Sequence, residues 1–350
     1  MKNIIRKLHL IIGLLSGMIV FIVSITGCIY SFEEEFRGAL YKQQLSVTAQ
    51  NNRIPISALI DTVKNKHHLE IKNIRIKNDP TSSIEFQLKD KTSFYINPYT
   101  GEYLGSINRE KDLFGVCLQI HRSLYLGDAG KWITGISALL FLTMLISGII
   151  LWWPRKNAPK RQTYWFKAQA SKKRKIFDLH RILGFYASFI LIFVVLTGLI
   201  WSFKWAENTM YWLSGSKKEE RQKIQSKENS VNSFSLDSVL SDLKKNTKKD
   251  ADCFISFPED KKGSYRISFR SDNGSFFKHT DQFFIDQYSG KMLNAKTFDK
   301  AQTGDKLKAA NYDIHTGKAL GIMGQIIVFI AGLISASLPI TGFLIWKNKR

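Results

Sequence analysis

The sequence predicts a membrane α-helical protein: a bundle of four transmembrane helices built from two parallel repeats, each with a small periplasmic α+β module. Three observations predict it. Four stretches without a charged residue are long enough to cross a hydrocarbon core of about 30 Å, which takes about 20 helical residues. The 350-residue chain has a formal net charge of +22, yet 44% of it is hydrophobic. Its two halves also share residues at fixed spacings.

The four apolar stretches are predicted to be retained transmembrane helices. They are Leu8–Phe32, Trp132–Trp153, Ile182–Phe203 and Ala319–Trp346. The first is too long for the apolar region of a cleaved signal peptide. Basic residues before the first span, in segment 154–181 and after the last span number 16, against the single acid Asp178. The positive-inside rule therefore predicts that both termini and this segment are cytoplasmic.

Composition and motifs exclude several classes of protein. Cys28, Cys117 and Cys253 are odd in number and widely separated, which excludes a disulfide scaffold and a Cys-rich zinc module. The chain has no Cys-x-x-Cys-His for a covalently attached c-type haem, and no Gly-x-Gly-x-x-Gly or Walker loop. Because membrane topology explains the sharpest excess of positive charge, nucleic acid is not a predicted partner.

The domain order follows from these spans. We predict transmembrane segments at 1–32, 129–153, 180–203 and 319–346, periplasmic modules at 33–128 and 204–318, a cytoplasmic basic loop at 154–179 and a cytoplasmic tail at 347–350. In the first module, a helix is predicted at Ile56–Lys66 and strands at Ile71–Lys77, Ile84–Leu88 and Ser93–Ile96. In the second, a helix is predicted near Leu236–Lys245 and strands near Cys253–Phe257, Tyr265–Arg270 and Gln282–Ile285.

An internal duplication relates four of the seven histidines. His9 and His180 precede Thr26-Gly27 and Thr197-Gly198 at the same offsets. His121 and His315 are each followed by glycines at offsets of 6, 9 and 27 and by a tryptophan at 31. Repeats of two spans each have the same orientation, related by an axis along the membrane normal. Such an axis brings His9 and His180 face to face near the cytoplasmic surface, and His121 and His315 near the outer one.

Paired imidazoles point to a metal cofactor. Imidazole is a common ligand for haem iron, zinc and copper. A zinc site would take three or four ligands including Cys or carboxylate, whereas the spans contain no carboxylate and one cysteine, Cys28. Two opposed imidazoles suit non-covalent haem b, and two pairs predict two haems, with small residues such as Gly13 and Gly184 beside them. The alternative is that these histidines are ordinary solvated groups at span ends.

The chain resembles the PepSY-associated transmembrane helix family of the bacterial inner membrane. The resemblance rests on four motifs: Leu8-His9 with Thr26-Gly27, His121–Gly127, Ser147-Gly148 with Leu151–Arg155, and the turn Pro98–Gly101. Some members of this family are similar to siderophore reductases. The resemblance to them implies that the chain binds two b-type haems, which pass electrons outward to ferric siderophores in the periplasm. The resemblance implies that His9 and His180 hold the inner haem iron, and His121 and His315 the outer one. The chain departs from the pattern at His315, which lacks a following Arg-Ser-Leu, and at Gln287, which replaces the turn proline.

The expected function is therefore that of a ferric-chelate reductase in the lipid bilayer, with an unidentified electron donor. Two alternatives belong to other classes. A non-catalytic accessory protein would use its outer modules to bind or inhibit a periplasmic partner, with the spans as anchors. A permease for iron chelates is suggested by the parallel repeats, but four spans leave little room for a substrate path and contain no carboxylate for proton coupling.

Overall fold

The computed structural model describes residues 2–154, 164–166, 169–219, 224–226, 234–245, 247, 250–271 and 279–348. Part of the predicted basic loop and of the tail lies outside these residues: Arg155, Lys156, Lys160, Arg161, Lys167, Lys349 and Arg350. The chain forms two compact units. A helical unit comprises Met1–Glu33, Leu113–Ser214 and Ala310–Arg350, and a sheet unit comprises Glu34–Asp112 and Gly215–Ala309.

The described helices and strands follow in chain order. The helices are α1 (Lys2–Ser31), α2 (Glu33–Leu40), α3 (Lys42–Leu45), α4 (Ile56–Asp61), α5 (Leu113–Ser123), α6 (Gly127–Trp152), α7 (Lys172–Ser202), α8 (Lys204–Leu213), α9 (Leu236–Lys245), α10 (Thr303–Thr316) and α11 (Gly321–Lys347). The strands are β1 (Ile71–Ile76), β2 (Ile84–Leu88), β3 (Thr92–Ile96), β4 (Tyr103–Asn108), β5 (Ala251–Ser256), β6 (Ser264–Ser271), β7 (His279–Asp286) and β8 (Met292–Lys296). A π-helical turn covers Thr62–Lys66 and a 3₁₀ turn covers Lys318–Leu320.

Four helices coincide with the four apolar stretches predicted to be spans. Helices α1, α6 and α7, and α11 with the turn before it, are long and apolar enough to cross a membrane, with mean hydropathy of 2.2 to 2.5. They form a ring in which α1 and α7 each pack against both α6 and α11. Large apolar side chains also point outward, including Leu15, 73% exposed, and Phe193, 65% exposed. An apolar exterior of this extent is suited to lipid.

A sharp turn folds α5 back against α6. Leu124 and Tyr125 have φ angles of 49° and 62°, in the left-handed region. A Cβ atom on Gly130 would lie 1.7 Å from the carbonyl oxygen of Ser123, so only glycine fits there. Gly324 makes the same close approach in the first turn of α11, where a Cβ atom would lie 2.1 Å from the carbonyl oxygen of Gly317. The duplicated glycines at offset 9 from His121 and His315 are therefore required by the backbone.

The sheet unit differs from the two separate modules that the sequence predicts. All eight strands form one antiparallel sheet in the order β4-β3-β2-β1-β5-β6-β7-β8. The first and second outer segments meet where β1 pairs with β5, with Ile74 opposite Ile255. Both side chains are fully buried. The six predicted strands are present, and β4 and β8 are additional strands at the edges of the sheet.

Helices α4 and α9 complete one shared core. Leu59 and Val63 are buried in the same cluster as Leu236, together with residues from both groups of strands. The carboxylate of Asp237 on α9 accepts hydrogen bonds from the backbone N–H groups of Ile56, at 2.7 Å, and Ser57, at 3.3 Å. A carboxylate at this position satisfies N–H groups that a helix start otherwise leaves without partners. The second outer segment therefore caps a helix of the first.

Candidate functional site at two histidine pairs

The first pair joins α1 to α7. The ring centroids of His9 and His180 lie 6.3 Å apart, and the ring planes are at 89°. Both residues lie in the first third of their helices, so the N-terminal parts of α1 and α7 carry this pair. We call this the inner pair, after the side of the membrane predicted for it.

The second pair joins α5 to α10. The ring centroids of His121 and His315 lie 6.1 Å apart, with an angle of 70° between the planes. We call this the outer pair. The structure thus brings together the members of both pairs that the duplication predicts, with nearly equal separations. The other three histidines, His67, His68 and His279, belong to the sheet unit.

The same ring nitrogen is hydrogen-bonded in all four histidines. In the inner pair, Nδ1 of His9 lies 2.8 Å from Oγ of Ser147, and Nδ1 of His180 lies 2.9 Å from Oγ1 of Thr341. Within the described residues, Nε2 of these rings has no hydrogen-bond partner. A ring held through one nitrogen in this way offers the other to a metal.

The outer pair uses main-chain acceptors for the same purpose. Nδ1 of His121 lies 2.8 Å from the carbonyl oxygen of Val23, and Nδ1 of His315 lies 2.9 Å from that of Val194. His315 has a further contact of 2.9 Å with Oγ1 of Thr197. A carbonyl oxygen only accepts hydrogen bonds, so Nδ1 carries the proton in both rings. Their Nε2 atoms are also without hydrogen-bond partners in the part of the chain that the structure describes.

A glycine lies beside every ring. A Cβ atom on Gly27 would lie 2.8 Å from Cε1 of His121, and one on Gly198 would lie 3.4 Å from Cε1 of His315. The corresponding distances are 3.6 Å from Gly148 to His9 and 3.3 Å from Gly342 to His180. Each glycine directly follows a serine or threonine: Thr26, Thr197, Ser147 and Thr341. A Ser/Thr-Gly dipeptide therefore adjoins each of the four histidines.

Gly13 and Gly184 lie at close contacts between helices. A Cβ atom on Gly13 would meet Met144 at 3.0 Å, and one on Gly184 would meet Leu338 at 3.4 Å. Both glycines therefore provide close packing between helices, as small residues commonly do in membrane bundles. The sequence signal that marks the histidine sites is the repeated Ser/Thr-Gly dipeptide.

Burial keeps the outer pair neutral. Removal from water lowers the pKa of His121, and it lowers the pKa of His315 to about 4, with a smaller contribution from the neighbouring His121. Desolvation disfavours the charged imidazolium. Both rings are therefore unprotonated at neutral pH, the form in which imidazole binds metals.

A cavity of about 570 Å³ adjoins the outer pair. Its walls come from α1, α5, α6, α7, α10 and α11, and they include both outer histidines and the glycines beside them, Gly27 and Gly198. Arg122, the residue after His121, also lines it. The volume lies in the range of about 300–1,000 Å³ typical of small-molecule sites. An arginine at an apolar cavity is suited to a carboxylate of the bound molecule.

The donor set fits haem iron better than a metal ion held by protein alone. Among the described residues, no group of three or more His, Cys, Asp or Glu side chains is arranged to hold a metal. Two metal–imidazole bonds of about 2 Å each, with roughly 1 Å from each nitrogen to its ring centre, separate two ring centroids by about 6 Å. The observed 6.3 Å and 6.1 Å agree with this separation. A porphyrin supplies the remaining four ligands, so two histidines suffice.

Comparison with known proteins identifies the family. The model of the family described as PepSY-associated TM region matches residues 6–349. The chain belongs to the PepSY-associated TM family. The match covers nearly all of the sequence and confirms the resemblance carried by the histidine and glycine motifs. No curated protein matches the chain. Family membership and the four apolar helices together make this PepSY-associated TM protein a multi-pass membrane protein.

Proposed function

We propose that this protein holds two b-type haems and passes electrons through the bacterial inner membrane to reduce ferric iron in siderophore-type chelates on the periplasmic side. The observation that carries the proposal is the pair of matched histidine sites. In each, the two ring centroids lie 6.3 Å or 6.1 Å apart, and Nε2 of every ring has no hydrogen-bond partner among the described residues. When bound, haem supplies one-electron oxidation and reduction of its iron. The protein supplies axial ligands, burial and hydrogen bonds.

The spacing of the pairs supports two cofactors. His9 and Val23, whose carbonyl contacts His121, are 14 positions apart on α1. The same interval separates His180 from Val194, which contacts His315 on the other side. Fourteen residues of α-helix rise about 21 Å. This distance is most of a hydrocarbon core of about 30 Å, so the two sites together extend from one side of the bundle towards the other.

Reduction is a suitable chemistry for iron release. The oxygen ligands of siderophores are hard donors that favour Fe³⁺ over the softer Fe²⁺, so a chelate loses affinity once its iron is reduced. The orientation proposed here places both termini in the cytoplasm and the outer pair nearer the periplasm. In that orientation, His121 and His315 belong to the site nearest the chelate.

The first test is the absorbance spectrum of the purified protein, reduced minus oxidised, made with ample haem. We expect bands of six-coordinate haem b and a content of two haems per chain. His9→Ala and His121→Ala are each expected to lose one haem, and the double variant both. The control is His68→Asn in the sheet unit, where a positive φ of 54° suits asparagine. A spectrum without a Soret band would refute the proposal.

The second test separates the classes of function. Proteoliposomes are loaded with a reductant, and ferric chelate is added outside. A reductase gives external Fe²⁺ that depends on all four histidines. An accessory protein would bind no cofactor and would be indifferent to His9→Ala with His180→Ala. A permease would accumulate the chelate inside vesicles that contain no reductant.

A further inference from the structure

The inner and outer pairs differ in what holds their rings. The outer histidines donate Nδ1–H to main-chain carbonyls, which no side-chain substitution removes. The inner histidines contact the side-chain hydroxyls of Ser147 and Thr341. His180 is also hydrogen-bonded to the main-chain carbonyl of Leu338, much as His315 contacts both Val194 and Thr197. A hydroxyl both donates and accepts, so its role depends on where its own proton goes. The tautomer of His9 is therefore decided by the surroundings of the Ser147 hydroxyl, whereas at His180 the Thr341 hydroxyl acts together with the Leu338 carbonyl.

We infer that Ser147 and Thr341 are positioning residues of the inner pair: each hydroxyl oxygen accepts Nδ1–H and so holds the ring in the tautomer with a free Nε2 lone pair. The inference deepens the proposed function, on which it relies for the identity of the metal group. The tautomer itself is a property of the chain.

The hydroxyl of Ser147 is directed to a carbonyl of its own helix. Oγ of Ser147 lies 3.1 Å from the carbonyl oxygen of Met144, which only accepts. The single hydroxyl proton therefore goes to Met144, and the contact with His9 is satisfied only if Nδ1 donates to Oγ. If the Ser147 hydroxyl instead donated to Nδ1 of His9, its oxygen and the carbonyl oxygen of Met144 would face each other without a proton between them. That arrangement loses a hydrogen bond in a partly buried site.

Thr341 makes the same arrangement on α11. Its Oγ1 lies 2.9 Å from the carbonyl oxygen of Ser337 and 3.1 Å from that of Leu338. The hydroxyl proton is shared with these two acceptors, and the oxygen is left to accept from Nδ1 of His180 at 2.9 Å. Ser147 and Thr341 stand at equivalent places in the two halves, each directly before a glycine that adjoins the ring. The same device thus serves both inner histidines.

Loss of the acceptor has two expected consequences. A ring without this acceptor populates both tautomers, and the tautomer with Nε2–H cannot bind a metal through Nε2. Hydrogen-bond partners of metal-binding histidines typically contribute about 10–100-fold in metal affinity. The Nδ1–H bond also increases electron donation from the imidazole to the iron, which favours Fe³⁺. Without it, the midpoint potential of the inner site rises. The outer site of the same molecule is unaffected and serves as an internal reference.

The test uses Ser147→Ala and Thr341→Val in the full-length chain. In haem-free protein, ¹⁵N NMR of the histidine rings reports the tautomer directly. We expect wild-type His9 and His180 to show separate protonated Nδ1 and lone-pair Nε2 signals. These signals should converge for His9 in Ser147→Ala, and less completely for His180 in Thr341→Val, because the Leu338 carbonyl still accepts there. In loaded protein, we expect weaker haem retention and a higher midpoint potential at one of two sites. The matched control is Thr143→Val, which removes a hydroxyl from α6 that, among the described residues, bonds only the carbonyl of Leu139.

Conservative replacements keep the test interpretable. Ser147→Thr and Thr341→Ser retain an acceptor hydroxyl and should restore the wild-type NMR signals and potential, even if the first two variants fold poorly. Unchanged ring signals and an unchanged inner potential in Ser147→Ala and Thr341→Val would overturn the inference. Wild-type protein that binds no haem but shows the expected tautomers would refute the proposed function and leave the positioning role intact.

Discussion

Gly27 and His121 approach so closely that a Cβ atom on Gly27 would lie 2.8 Å from Cε1 and 3.0 Å from Nδ1 of the ring. Real Cβ atoms do not tolerate such distances, so a side chain at position 27 has to push the imidazole aside. Nδ1 of this ring is hydrogen-bonded to the carbonyl of Val23, four residues before Gly27 on the same helix. The position of the His121 ring therefore depends on residue 27 having no Cβ atom.

Gly27→Ala is expected to displace His121 and to weaken cofactor retention at the outer site, while the inner site stays loaded. The displaced atom belongs to a side chain that can rotate, so thermal stability should change little. The measurement is haem content with the reduced-minus-oxidised spectrum. The matched control is Gly148→Ala, where the added Cβ would lie 3.6 Å from Cε1 of His9, an ordinary contact. Equal haem content in the two variants would contradict the prediction.

Gly130→Ala is expected to have a different effect, because its obstacle is backbone. The new Cβ would lie 1.7 Å from the carbonyl oxygen of Ser123, which forces α5 and α6 apart. We expect a large loss of thermal stability together with loss of the outer site. Gly38→Ala in α2 is the control, since no atom lies within 4 Å of its added Cβ. Removing this glycine from a helix should be neutral or slightly stabilising.

Ile255→Ala is expected to destabilise both groups of strands at once. The residue is fully buried and lies opposite Ile74 at the junction of β5 and β1. Truncation of a buried isoleucine to alanine costs about 2–5 kcal/mol. We expect hydrogen exchange to accelerate in β2 as well as in β6. Leu293→Ala on β8, where the side chain is 36% exposed, should cost clearly less. Faster exchange confined to β5–β8 would show that the two groups unfold independently.

The stability of the haem-free chain should fall as the pH falls below 6.5. The pKa of His315 is about 4 in the folded protein, against an ordinary 6.5. Between these values the unfolded chain binds a proton that the folded chain does not, so acidification favours unfolding by up to about 1.4 kcal/mol per pH unit. His121 adds to the effect in the same direction. Unfolding titrations at several pH values check this, and His315→Gln should flatten the slope.

Periodicity was sufficient to predict the spans and the buried strands. Charge-free stretches of about 20 residues have few alternative structures, and strands such as β2 alternate between buried and partly buried residues. The edge strands gave no such signal. All five residues of β8 are exposed, and β4 contains Gly105 with a φ angle of 127°. The pairing of β1 with β5 joins residues about 180 positions apart, which no local pattern reports.

The histidine pairs were predictable because duplication relates residues that are far apart in sequence. Their hydrogen-bond partners were not, since the contact between His121 and Val23 depends on how α5 packs against α1. The Thr26-Gly27 and Thr197-Gly198 repeats are visible in the sequence. From the sequence alone, however, these dipeptides are indistinguishable from ordinary helix residues. Only the packing of the helices in the structure shows which histidine ring adjoins each of them.

The junction of β1 with β5 has a consequence for any shortened form of the chain. A protein cut between the two halves would leave β1 or β5 as an unpaired edge strand. Isoleucines that are buried in the intact sheet would then be exposed to water, and a row of main-chain N–H and C=O groups would be free to pair with another strand. Because β1 pairs antiparallel with β5 in the intact chain, an unpaired β1 can also pair antiparallel with β1 of a second molecule about a twofold axis. Half-length polypeptides should therefore be recovered as dimers or aggregates.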